Sequence, residues 1–145
     1  MRFKVNLFSI SLMASLFATS PVFSETGKTH IDDGLKALNA QDFKVASEQF
    51  SEGFEEGEAD GAFYLGRMLE LGMGGTPNLK AAVGLYIAGS SKGSAPAKNR
   101  LGVLHIQGNG VLQDYDEGAK LVCNAAELGD VNGAYNCASL TLSGR

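Results

Sequence analysis

Residues 71–78 read LGMGGTPN, a glycine cluster containing a hydroxyl and followed shortly by Lys80. A loop that cradles phosphate needs a strand before it and a helix behind it, with backbone N–H groups converging on the anion. The preceding residues 62–70, AFYLGRMLE, do not alternate as a strand does. A second cluster, QGNGVLQD, occupies 107–114, and a shift of 36 residues lays one cluster on the other. That shift carries Gly72 to Gly108 and Gly144, Gly74 to Gly110, Asn78 to Asp114, and Leu65-Gly66 to Leu101-Gly102. Gly57, Gly93 and Gly129 share the same spacing, as do Phe50, Tyr86 and Val122. The cluster is therefore a recurring structural joint, a turn rather than a phosphate loop.

Each period reads as two helices. Counted from Asp42, Asn78 or Asp114, small and apolar residues recur at +4, +7 or +8, +11 and +12, which is one face of an amphipathic helix. In the last copy these are Gly118, Leu121, Val122, Ala125 and Ala126. The Asp or Asn ahead of each suits an N-cap, and Asp114 with Glu117 has the spacing of a capping box. Gly57, Gly93 and Gly129 fall where a helix closes on a left-handed residue. The first helices begin near Gly61, Ala97 and Gly133, and carry Leu65, Gly66 and Met68, then Leu101, Gly102 and Leu104. A glycine inside a helix costs up to about 1 kcal/mol against alanine. Its return at Gly66 and Gly102 predicts a neighbouring helix that needs the room. Asp114, Asp116 and Glu117 do not make a metal site, because the earlier copy carries Asn78, Lys80 and Ala81 in their place.

Residues 97–130, AKNRLGVLHIQGNGVLQDYDEGAKLVCNAAELGD, resemble one full repeat of the Sel1-like family, relatives of the tetratricopeptide repeats. The residues that carry the likeness are Ala97, Leu101-Gly102, Gly108-Asn109-Gly110-Val111, Asp114, Ala125-Ala126 and Gly129. His105 stands where the family has an aromatic, and Gly118 where it has alanine. Residues 61–96 match more loosely, with Gly89-Ser90 for Ala-Ala. The resemblance implies an all-α fold, a right-handed solenoid of antiparallel helix pairs that bury a core only through their neighbours. The expected units are 25–60, 61–96, 97–132 and a half unit, 133–145, whose last helix leaves the C-terminal end open for self-association.

Cys123 and Cys137 lie seven residues either side of Asp130, the expected centre of an interhelical turn, so both sit about two helical turns from it on facing helices. A structural disulfide, a pair of buried thiols and a redox pair are the readings open to them, the last without a C-x-x-C motif. Cysteine-rich exported members of the family staple neighbouring helices in this way.

The resemblance also implies a binding face. In related repeat proteins the first helices line the concave side and hold peptides. The repeat register places Phe63, Arg67 and Glu70, then Asn99, Val103 and Ile106, then Tyr135 and Ser139 on that side. Asn99 stands where peptide-binding relatives place an asparagine that holds a ligand backbone. Packing between adjacent helices is the competing role for Phe63 and Ile106.

The N-terminus is organised differently. Arg2 and Lys4 precede an apolar run from Leu7 to Ala18 and then PVFS at 21–24. This pattern predicts a signal peptide over 1–24, too short in its apolar part to span a membrane, ahead of a repeat domain over 25–145. The whole chain has a formal charge of −4, and loss of Arg2 and Lys4 makes the remainder more acidic. Such a balance argues against nucleic acid, whose phosphates demand a basic face. Periplasmic or secreted placement follows from the leader, and an even pair of cysteines fits an oxidising compartment.

Catalytic machinery is not legible. His105 takes a packing position, His30 has no ligand set near it in sequence, and with two histidines a zinc site of three protein ligands would need dispersed carboxylates as well. Ser90, Ser91 and Ser94 have no histidine and acid at readable spacing. No cofactor and no metal are expected. The sequence reading is a non-catalytic scaffold that binds a protein or peptide of the bacterial envelope. β-Lactam or cell-wall-fragment binding or hydrolysis, as described for some cysteine-rich relatives, is the alternative. Those relatives carry a cysteine pair in every repeat, and this chain carries one.

Overall fold

The computed structural model describes residues 23–144, with side chains from His30 onward. Apart from Phe23 and Ser24, the expected signal peptide lies outside them. Seven helices and no strand occur among the described residues: α1 (Phe23–Asn39), α2 (Phe43–Glu55), α3 (Asp60–Leu71), α4 (Leu79–Ser91), α5 (Ala95–Gln107), α6 (Tyr115–Glu127) and α7 (Val131–Leu142). They pair as α1 with α2, α3 with α4 and α5 with α6, and α7 stands against α6. The first helices of successive units also touch, α3 against α5 and α5 against α7. No comparably close contact joins α2 to α4 or α4 to α6. From α3 onward the stack is therefore closer on the first-helix side.

The caps are those the period predicts. Asp42, Asn78 and Asp114 each accept a hydrogen bond from the backbone N–H three residues on, at 3.2, 3.0 and 2.9 Å. The capping box at Asp114 is only half formed. Its own N–H donates to the carbonyl of His105 (3.0 Å), and Asn78 N–H donates likewise to Leu69 (2.7 Å). Each turn is thereby tied back to the helix it leaves. Ser94 and Asp130, also 36 apart, cap α5 and α7 through Ala97 and Gly133. Gly72 and Gly108 close α3 and α5 in the left-handed region, at φ 69° and 67°.

One side chain at the middle of each second helix fills its pair. Phe50, Tyr86 and Val122 are fully buried. Phe50 lies on Gly34, Tyr86 on Gly66 and Val122 on Gly102. A methyl added at Gly66 would fall 2.5 Å from Cε1 of Tyr86, so the helix glycine is a socket for a ring. Around these plugs form two buried clusters, one of Ile31, Ala46, Phe50 and Met68, the other of Ala82, Val83, Tyr86, Leu101 and Leu104. Cys123 and Cys137 form a disulfide between α6 and α7, their Cα atoms 4.9 Å apart. The reading as a pair of free buried thiols is thereby set aside. The bond anchors α7, whose outer residues Val131, Tyr135 and Leu142 remain largely exposed.

Candidate functional site: a groove across three first helices

A groove of about 370 Å³ runs over the first-helix side, lined by Phe63 and Arg67 of α3, Pro96, Asn99 and Arg100 of α5, and Asp130 and Asn132 at the start of α7. Two of these lining residues, Arg67 and Arg100, are held by Glu70. The Glu70 carboxylate accepts hydrogen bonds from Arg67 Nη1 (2.9 Å), the Tyr86 hydroxyl (2.6 Å), Arg100 Nε (3.0 Å) and Arg100 Nη2. Its side chain is 11% exposed, against 35% for Arg67 and 25% for Arg100. Burial opposes ionisation of Glu70, but the hydrogen bonds from Arg100, Tyr86 and Arg67 outweigh it and hold the carboxyl below its usual range. Burial, and then the bond to Glu70, push the Tyr86 phenol above its ordinary value. The hydrogen bond to Glu70 likewise raises Arg100. All three groups stay in one protonation state at neutral pH.

This cluster fixes both guanidinium planes where they edge the groove. At its other end the Asp130 carboxylate accepts from Gly133 N–H (2.6 Å), at the positive end of α7. Asn99 is 8% exposed, and its Oδ1 accepts from Asn136 Nδ2 (3.0 Å), which ties α5 to α7. Two guanidiniums thus stand with two carboxylates, close to charge balance. A near-neutral wall of amides and guanidinium edges suits the N–H and C=O groups of an extended backbone better than it suits a strongly charged ligand.

The residues placed by repeat register distribute as follows. Phe63, Arg67 and Asn99 line the groove. Phe63 also packs on the core, with its ring centroid 5.2 Å from that of Tyr64. Glu70 holds two of the lining arginines and is saturated by its donors. Val103 is half-buried on α5. Ile106 lies against Gly118 inside the α5–α6 pair, away from the groove. Tyr135 is 75% exposed on α7, and Ser139 donates to the Tyr135 carbonyl (2.9 Å). Arg100, Pro96, Asp130, Asn132 and the supporting Tyr86 did not emerge from the sequence. The register of Arg100 to Glu70 spans 30 residues, and no local pattern marks it.

His105 is half-buried, with Nδ1 3.3 Å from the Leu112 carbonyl. His30 has more company than its sequence neighbours imply, with Nδ1 2.8 Å from Gln49 and 3.3 Å from Glu52, and Nε2 3.7 Å from Glu56. Among the described residues no group of three or more His, Cys, Asp or Glu side chains is placed to hold a metal ion. None of the described helices is long and apolar enough to cross a membrane.

Paired helices at a 36-residue period, plugged at internal glycines and grooved along the first-helix side, define a helical-repeat solenoid. A family model described as Sel1 repeat matches residues 59–94 and 95–130. The chain belongs to the Sel1 repeat family. A solved Sel1 repeat protein from Oxalobacter formigenes is 27% identical, with a TM-score of 0.76 over 82% of this chain and 50% of that one. This chain thus spans about half the length of that relative. The Helicobacter pylori cysteine-rich protein B is similar at 19% identity and TM-score 0.57, over 78% of this chain and 95% of that one. A protective antigen of uropathogenic Escherichia coli, with 19% identity and TM-score 0.62, covers 83% of this chain and 33% of its own. At 19% identity these last two likenesses show the fold alone. No curated protein matches the chain. Sel1 repeat proteins generally mediate protein–protein interaction and are generally non-catalytic scaffolds.

Proposed function

We propose that this protein is a scaffold of the bacterial envelope that holds an extended segment of a partner protein in the groove across α3, α5 and α7. The observation that carries the reading is the Glu70 cluster. A carboxylate with four hydrogen bonds holds Arg67 and Arg100 in place before any ligand arrives, so little side-chain entropy is lost on binding. Phe63 and the two arginines are residue types that dominate interface energetics. The disulfide supports a periplasmic or secreted location, since such bonds persist in oxidising compartments.

Crosslinking in intact cells with a tagged protein, followed by mass spectrometry, tests the proposal. Asn132→Arg projects a long charged side chain into the groove from an exposed position, without touching the core. Arg67→Ala with Asn99→Ala removes groove contacts. The expected result is a partner captured by the wild type and lost from both variants, with circular dichroism unchanged for Asn132→Arg. Equal capture by all three would remove the groove from the proposal. Turnover of a chromogenic β-lactam would replace it with a hydrolase.

A further inference from the structure

On the other side of the chain, between α2, the end of α3 and α4, lies a second hollow of about 430 Å³. Its walls are Phe43, Leu65, Met68, Leu69, Met73 and Leu85, and its rim carries Lys44, Ser47, Gly75 and Thr76. The repeat itself explains why the space is open. One period on, the places of Ser47 and Gly75 are taken by Val83 and Val111. Val83 is 7% exposed within the cluster of Ala82, Tyr86, Leu101 and Leu104, and Val111 packs against that cluster. Leu121, the counterpart of Leu85, packs there too. Relative to the next repeat, two isopropyl groups are missing from this packing site, and its walls carry Phe43, Leu69 and Met73 where that repeat has Leu79, His105 and Asn109.

Those walls define the occupant. Apolar surface of this kind gains by being covered, and the volume is in the range of small-molecule sites. Met68 and Met73 supply unbranched side chains that adapt to an irregular guest. Its polar side chains are Lys44, Ser47 and Thr76, and the Ser47 hydroxyl donates to the Lys44 backbone carbonyl (2.8 Å). The Lys44 side chain is 85% exposed, and its contact with Glu48 is 3.9 Å long, so it can turn to an anion at the mouth. We infer that the hollow binds a medium-length aliphatic carboxylate. Its chain of about six to eight carbons takes the place of the two missing isopropyl groups, and its head meets Lys44. None of the groove residues lines this site, so the inference does not depend on the proposed scaffold role.

The test is titration of the purified protein with octanoate, followed by calorimetry and by the NMR methyl signals of Met68 and Met73. Ser47→Val with Gly75→Val fills the hollow as the next repeat does. A Cβ at Gly75 meets nothing within 4 Å, so the side chain added there has room, and circular dichroism checks that the double variant keeps the fold. Expected are saturable one-site binding and shifts at both methionine methyls. Affinity falls about tenfold or more in the double variant, and about threefold in Lys44→Ala. Absence of methyl shifts up to millimolar octanoate would overturn the inference, as would equal affinity in the double variant. Equally tight binding of octan-1-ol would overturn the assignment of a carboxylate head.

Discussion

The ring of Tyr86 rests on the bare backbone of Gly66, and this one contact joins the packing of the repeat to the chemistry of its groove. Held there, the tyrosine points its hydroxyl 2.6 Å from Glu70, the carboxylate that positions Arg67 and Arg100. A larger residue at 66 would displace the ring, and with it the hydrogen bond from Tyr86 to Glu70.

Gly66→Ala is expected to destabilise the protein by about 2 kcal/mol in urea unfolding. The gain in helix propensity, up to about 1 kcal/mol, is outweighed by overpacking against a buried ring. Gly84→Ala is the matched control, because a Cβ there meets nothing within 4 Å. It should stabilise by up to about 1 kcal/mol. Stabilisation by both substitutions would refute the socket.

Glu70→Gln removes a charge that two guanidiniums require, and is expected to cost about 3 kcal/mol at pH 7. The pH dependence has a definite sign. Glu70 is held below its ordinary value of 4.5, so its contribution is complete above that pH and is lost as pH falls through the lower folded value. Thermal melts from pH 7 to pH 3 should show a steeper acid loss for the wild type than for the variant. Parallel slopes would mean that the cluster adds no stability.

Reducing the bond between Cys123 and Cys137, or substituting both by serine, is expected to cost about 3 kcal/mol for a loop of this size. The loss should be local. Hydrogen exchange should speed across α7 and the end of α6, while α3 and α4 keep their protection. Uniform acceleration would show that α7 is integral to the whole stack.

Asn78→Ala and Asp114→Ala each delete one N-cap bond and should each cost about 1 kcal/mol. The sites share no partner, so the double variant should lose the sum of the two. A double variant no less stable than either single one would show that the caps are coupled through the stack.

Much of this molecule is legible along the chain. The N-caps, the closing glycines, the recurrence of Phe50, Tyr86 and Val122 and the helix glycines Gly66 and Gly102 are separated by fixed spacings of 36, so a repeated local pattern reveals them; which ring seats on which glycine, and the role of Gly34, came from the structure. The facing of Cys123 and Cys137 follows from counting either side of one turn. Glu70 was reached only as a register position. That reading placed it among residues that meet a ligand, when its carboxylate is engaged with Tyr86 and Arg100, 16 and 30 residues away. The same register puts Ile106 on that side, with interhelical packing as its competing role, and its side chain lies against Gly118. The missing isopropyl groups at Ser47 and Gly75 were visible as letters, but a substitution reads as a hollow only when the walls around it are known.

The sequence by itself determined the period, the starts of α2 to α7 to within two residues, and the all-α class. Those properties depend on short-range physics, namely capping, helical periodicity and the left-handed freedom of glycine at a joint. Only the tertiary structure decided which residues share the groove and which face inward. Those choices depend on the offset between successive helix pairs. That offset is set by how a ring, an isopropyl group or a carboxylate from one helix seats on another, and no pattern within one helix records it.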